Sequence, residues 1–182
     1  LSALKAQPDG STDKGRLLYR HGQLDEATAC LAKATDSTPA DGEAWHLLGA
    51  VLLEKGQRDD ANAAFTKAIE AKQPYPEARY FLALAAIAQK QPEAAAKHLA
   101  ALIEARPMHW EAKLLLAGLE AAGGKPDRAK ALVAEDPADP RVWFILGDKR
   151  LDQLLQEPGA PKRLEEFKAA LQGNYIAPNR IK

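Results

Sequence analysis

The sequence predicts an all-α protein, built as a solenoid of about five helix-turn-helix repeats. Three observations lead to this fold class: alanine is the commonest apolar residue, the apolar residues recur with a fixed period, and Gly or Pro stands where that period predicts a break. The 182 residues are 46% hydrophobic and only 6% aromatic, which is typical of a globular chain with closely packed helices. Because one helical hairpin cannot bury both of its faces, such repeats are stable when neighbours stack on them.

The period is 34 residues, which is the separation of Ala27 from Ala61. The small residues that keep this spacing are Ala27, Ala61, Ala95 and Ala129. The bulky residues that keep it are Leu31, Phe65, Leu99 and Val133. Inside a repeat the apolar residues lie three and four positions apart, which is the spacing of amphipathic helices. Each repeat is therefore predicted to be two helices, with the small residues at close crossings.

Gly and Pro divide the chain into helices and repeats, because both favour turns or the first turn of a helix. The turns inside repeats are predicted at Gly22, Gly56, Gly124 and Gln91–Pro92, and the breaks between repeats at Pro39, Pro74, Pro107 and Pro137. This register gives a single solenoid over 1–182, with repeats at about 8–41, 42–75, 76–109, 110–139 and 140–173. The fourth repeat is short, because Asp136 and Pro137 stop its second helix. Residues 174–182 are predicted to be a tail or the start of a further helix.

The second repeat resembles the tetratricopeptide repeat (TPR) family position for position. The matching residues are Trp45, Leu48, Gly49, Leu52, Gly56, Ala61, Phe65 and Ala68. The resemblance implies a right-handed superhelix whose concave surface, or groove, is lined by the first helix of each repeat. It also implies that the groove binds a protein or peptide partner, and that the chain is a scaffold.

No motif in the sequence indicates catalysis, a metal or a cofactor. The four histidines are spread over three repeats without the i, i+4 pairing of a zinc site. Cys30 is the single cysteine, so it has no partner for a disulfide or a thiolate metal site. Phosphate-binding loops and nucleophile elbows are also absent from the sequence. We therefore expect a protein that is not an enzyme and needs no cofactor.

The charge balance and hydropathy limit the classes of partner. Lys plus Arg and Asp plus Glu number 25 each, so the chain has no net field that would favour nucleic acid. No apolar run reaches the roughly 20 residues that span a bilayer, so membrane insertion is not expected. The chain begins at Leu1 rather than Met. The sequence therefore leaves open whether the protein has a signal or an anchor, and whether it is cytoplasmic or periplasmic.

The predicted partner-binding groove is apolar. In the TPR family, ligand contacts come mostly from positions 2, 5, 6, 9, 12 and 13 of each repeat, which we call the groove positions. The apolar residues at groove positions are Leu47, Tyr80, Phe81, Leu84, Leu114, Leu115 and Phe144. They predict a partner with apolar side chains, a peptide or a helix. Either a separate partner or another part of the chain covers this face, and the sequence leaves both alternatives open.

Other functions remain open beside this one. The TPR clamp that holds a chaperone's C-terminal carboxylate is not expected, because its positions carry Thr12, Arg16, Leu47, Glu77 and Phe81 here. The alanine-rich chain has a bacterial look, and it could be an accessory region of a larger protein with a catalytic or assembly domain, for instance in envelope or polysaccharide assembly. A self-associating scaffold is the third alternative.

Overall fold

The computed structural model describes residues 11–134, 141–142, 145 and 161–172. All regular elements within these residues are helices, as the predicted fold class requires, and no strand occurs among them. The helices are α1 (Thr12–Arg20), α2 (Leu24–Ser37), α3 (Gly42–Glu54), α4 (Arg58–Glu70), α5 (Ala78–Ala88), α6 (Pro92–Ala105), α7 (Trp110–Ala122), α8 (Pro126–Val133) and α9 (Pro161–Leu171). The predicted boundary between the fourth and fifth repeats and the predicted tail lie outside the described residues.

Local sequence chemistry determines where several helices begin. The side chains of Ser11 and Asp41 accept hydrogen bonds from backbone N–H groups in the first turns of α1 and α3. His109 does the same for α7, where its Nδ1 accepts from a backbone N–H 3.2 Å away. Pro92 and Pro126 stand in the first turns of α6 and α8, where the missing N–H costs no helical hydrogen bond.

The turn between the two helices of a repeat uses a left-handed backbone conformation in each of the first four repeats. Its φ angle is +75° at Gly22, +80° at Gly56 and +76° at Gly124. In the third repeat, where Gln91 and Pro92 were expected to mark the turn, the left-handed residue is Lys90, with a φ of +59°. Lys90 therefore stands where the other repeats have glycine. The left-handed conformation costs free energy at Lys90, because a Cβ is disfavoured there.

The chain divides into two compact units, and the described residues of the first are 11–82. Its core lies between α1, α2, α3 and α4, with Leu31, Val51 and Phe65 buried. The helices cross closely at small residues. A Cβ added at Gly49 would lie 2.7 Å from Phe65 Cε1, so the phenyl ring occupies the space that a side chain would need.

The described part of the second unit is 83–134, 141–142, 145 and 161–172. Its central helix is α7, which packs against α6, α8 and α9. The residues with the most deeply buried side chains in this unit are Leu99, Leu102, Leu114, Leu115, Val133 and Leu164. Most of the predicted first helix of the fifth repeat, with Phe144, lies outside the described residues.

Candidate protein-binding surface

Of the residues predicted to line the groove, Tyr80 and Phe81 keep part of their side chains exposed. Both belong to the first turn and a half of α5, in the first unit. Their rings meet edge to face, with centroids 5.9 Å apart. Leu47 is in the same unit but buried, because it belongs to the core cluster around Leu18 and Val51.

Phe81 is held in place by a cluster of rings from three elements. It stacks on Phe65 of α4, with centroids 4.7 Å apart and ring planes 9° apart. It also lies 5.4 Å from the ring of His46 on α3. His46 in turn lies 4.6 Å from the ring of Tyr75, in the segment before α5. Phe81 is therefore packed on several rings and Tyr80 packs edge-on against it, and we call these two residues the platform. We call these five residues the aromatic cluster.

His46 is an uncharged member of the aromatic cluster. Its Nδ1 atom is buried and has no hydrogen-bond partner. Burial lowers the pKa of His46 to about 4, although the nearby carboxylate of Glu77 acts in the opposite direction. The imidazole is therefore neutral at neutral pH, and it packs as an aromatic ring.

Polar side chains at groove positions join α1 to α3. Arg16 Nη2 lies 2.9 Å from Glu43 Oε1, and the Tyr19 hydroxyl donates to Glu54 Oε1 over 2.9 Å. Arg16 also pairs with Asp13 in its own helix at 2.6 Å. The sequence analysis considered the apolar groove positions and missed this pairing. The sequence feature that could have predicted this pairing is the presence of acidic and basic residues at groove positions of consecutive repeats.

In the second unit the predicted groove residues are covered. Leu114 is 0% exposed and Leu115 is 1% exposed, and Leu84 is also buried. The neighbouring groove position Gly118 lies against Leu171 of α9. The apolar face of α7 is therefore covered by other parts of the chain, which is one of the two alternatives that the sequence left open. A role of these leucines in binding a partner stays a prediction.

A buried carboxylate in α7 was also missed by the sequence analysis. Glu120 is buried in its helix, and its two carboxylate oxygens lie 3.4 Å from Lys125 Nζ and 3.3 Å from an Arg128 nitrogen. Both cations come from the turn and the start of α8. Because a buried charge needs a partner, this pairing joins the two helices of the fourth repeat.

The described residues contain no group of three or more His, Cys, Asp or Glu side chains that could hold a metal ion. Among the helices that the structure describes, none is long and apolar enough to cross a membrane. Cys30 is buried in the core cluster of the first unit.

Comparison with known families matches this arrangement of paired helices to one repeat type. Residues 12–76 match the tetratricopeptide repeat, and residues 52–109 and 86–146 match it again. The chain belongs to the tetratricopeptide repeat family. The predicted TPR resemblance is thus confirmed over most of the chain. No curated protein matches the sequence.

Two solved TPR-like structures have the same fold. One is YrrB, described as a TPR protein with an unusual peptide-binding site; it has a TM-score of 0.65 at 20% identity, over 90% of this chain and 86% of its own. The other is MamA, with a TM-score of 0.62 at 21% identity, over 87% of this chain and 93% of its own. At this identity the likeness establishes the TPR solenoid fold and nothing about partners.

Proposed function

We propose that this TPR protein, a protein-interaction scaffold, binds a peptide or helix with apolar side chains through its groove positions. The observation that carries the proposal is the platform of Tyr80 and Phe81, two partly exposed aromatic side chains, of which Phe81 packs on Phe65 and His46 and Tyr80 packs on Phe81. Rigid aromatic residues at a partly exposed site are typical binding hot spots, because they supply contact area at a low cost in conformational entropy.

Other properties of the molecule support a protein partner. TPR folds serve as binding scaffolds rather than as catalysts. YrrB, of similar fold, is described as having a peptide-binding site. The equal numbers of basic and acidic residues, 25 each, favour a partner recognised by apolar contact over a polyanion.

The proposed contact residues fall into two groups. Tyr80 and Phe81 can contact a partner as the structure stands, whereas Leu47 is buried in the core cluster around Leu18 and Val51. The buried residues Leu84, Leu114 and Leu115 contact a partner only after a covering segment moves. Phe144, outside the described residues, completes the proposed set.

The experiment is selection of short peptides on the whole chain from a displayed random library, followed by measurement of Kd for wild type and variants. Tyr80→Ala should weaken binding of the selected peptides by about 30-fold or more, as for a hot spot of about 2 kcal/mol. Its melting temperature should stay near that of wild type, because the side chain is partly exposed.

Met108→Ala is the matched control, since Met108 is a large apolar side chain that is 87% exposed and does not occupy a groove position. It should leave Kd unchanged. Selected peptides that bind the Tyr80→Ala variant as tightly as wild type would contradict the proposed function.

A further inference from the structure

The first turn of α7 is capped by a titratable side chain, that of His109. Its Nδ1 atom accepts a hydrogen bond from the backbone N–H of Ala112, 3.2 Å away. Such an N-cap contact satisfies a backbone N–H that has no partner within the helix. Because α7 is the central helix of the second unit and packs against α6, α8 and α9, this cap stands at the start of the helix on which the unit is built.

The same position of the second repeat carries a different cap. Asp41 precedes His109 by two periods of 34 residues. Its Oδ1 atom accepts from the backbone N–H groups of Glu43 and Ala44 over 3.0 and 3.3 Å. A carboxyl group keeps the capacity to accept in either protonation state, whereas an imidazole nitrogen accepts only while it carries no hydrogen. The cap of α7 can therefore be lost by protonation in a way that the cap of α3 cannot.

The capping nitrogen of His109 has a second group within reach. Glu111 Oε2, in the first turn of α7, lies 3.6 Å from His109 Nδ1. When the ring takes up a proton from the solvent, both ring nitrogens carry a hydrogen, so Nδ1 changes from an acceptor to a donor. It must then release the N–H of Ala112, and the carboxylate of Glu111 is placed to accept the new N–H.

Other charged residues lie next to this turn along the chain, namely Glu104, Arg106 and Lys113. The Arg106 guanidinium donates to the backbone carbonyl of Ala105 over 3.3 Å, at the end of α6. Charges near His109 affect the pH at which its ring is protonated. They do not affect the outcome for the cap, because a protonated Nδ1 cannot accept a hydrogen bond at any pH.

We propose that His109 is a proton-operated switch at the start of α7. In the neutral state Nδ1 accepts from Ala112 and the first turn of the helix is capped. In the protonated state the Nδ1–H group donates to the Glu111 carboxylate, and the N–H of Ala112 is released. Acid therefore loosens the first helix of the fourth repeat but not that of the second, which Asp41 caps. The switch lies in the second unit, goes beyond the proposed function and does not depend on the platform.

The test is nuclear magnetic resonance on the full chain, labelled with nitrogen-15, from about pH 8 to about pH 5, the range in which histidine side chains change charge. Two quantities are followed: the ring nitrogen shifts of His109, and the protection of the Ala112 amide against hydrogen exchange, corrected for the intrinsic rate at each pH. The protection should fall about 2- to 30-fold, as when an N-cap side chain is removed, with the same midpoint as the ring. The Ala44 amide, which Asp41 caps, is the internal control and should keep its protection.

Two variants separate the switch from a merely structural cap. His109→Asn retains a side-chain acceptor that does not titrate, so Ala112 should stay protected across the whole range. His109→Ala removes the acceptor, so Ala112 should be weakly protected at every pH.

Three results would overturn the inference: a ring that takes up no proton down to pH 5, a ring that titrates while the protection of Ala112 stays constant or changes with another midpoint, or the same loss of protection in His109→Asn as in wild type. None of these results bears on the proposed function, which is tested by peptide binding at Tyr80 in the other compact unit.

Discussion

Replacing Lys90 with glycine should stabilise the protein. Lys90 has a φ of +59°, and the left-handed conformation costs a residue with a Cβ about 1–2 kcal/mol. Glycine removes that cost, but it also gives the unfolded chain more conformational freedom, which lowers the free energy of unfolding by about 0.5–1 kcal/mol. The expected net change is an increase of about 0.5–1 kcal/mol in the free energy of unfolding.

The assay is urea unfolding followed by circular dichroism at 222 nm, with the slope m compared among variants so that only changes in stability are counted. Lys90→Ala is the matched control: it removes the same charge but keeps a Cβ at positive φ, so its midpoint should stay near wild type. Gly56→Ala is the reverse experiment. A Cβ at Gly56 meets no atom within 4 Å, so its expected destabilisation of about 0.5–1 kcal/mol reports the backbone conformation alone.

The reasoning would be refuted by a Lys90→Gly midpoint at or below that of Lys90→Ala. That result would mean that the left-handed conformation at this turn carries no cost that glycine relieves, and that the lysine is as well suited to the position as the glycines of the other repeats.

Three further changes test the core and the site. Ala95 is fully buried in α6, so Ala95→Leu should lower the free energy of unfolding by about 1–3 kcal/mol through overpacking; an unchanged urea midpoint would mean that α6 is rotated. His46, whose folded pKa is about 4 against an ordinary 6.5, binds fewer protons in the folded than in the unfolded state between these values. The contribution of neutral His46 to the free energy of unfolding is therefore complete above pH 6.5 and is lost as the pH falls to 4, by up to about 3 kcal/mol. His46→Phe should remove this part of the pH dependence. Identical pH profiles of stability for wild type and His46→Phe would contradict this expectation. Leu114→Ala should lower the free energy of unfolding by about 2–5 kcal/mol, because it truncates a core side chain. In the double variant with Tyr80→Ala, nearly all the loss of melting temperature should come from Leu114→Ala. A double variant that melts like wild type would show that Leu114 does not belong to the core.

The parts of the fold that the sequence predicts are those that repeat. Gly49 and Phe65 lie in one hairpin, and the same small-and-large pair recurs at the 34-residue spacing, so their contact follows from the period. The left-handed turn at Lys90 did not follow from composition, because hairpin geometry imposes the conformation even where no glycine marks it. In such a turn the repeat overrides the local preference of the residue.

The candidate site was less predictable than the fold. Tyr80 could be assigned to an apolar groove position because α5 is apolar on most sides, which the sequence shows directly. The packing of α7 against α9 could not, since α9 begins more than forty residues after Leu115 in the sequence. The uncharged state of His46 likewise depends on rings from three elements that only the tertiary fold brings together.

The hydrogen bond from Tyr19 to Glu54 makes the contact between the first two repeats specific to this pair. Exact repeats could in principle be deleted or copied without loss, because each interface would be the same. Here a deletion of residues 42–75 would preserve the period, yet it would place Ala88 where Glu54 stands and remove that acceptor from the Tyr19 hydroxyl. The first repeat is therefore matched to the second repeat rather than to the third, and a deletion of the second repeat would lose about 0.5–1.5 kcal/mol with this hydrogen bond.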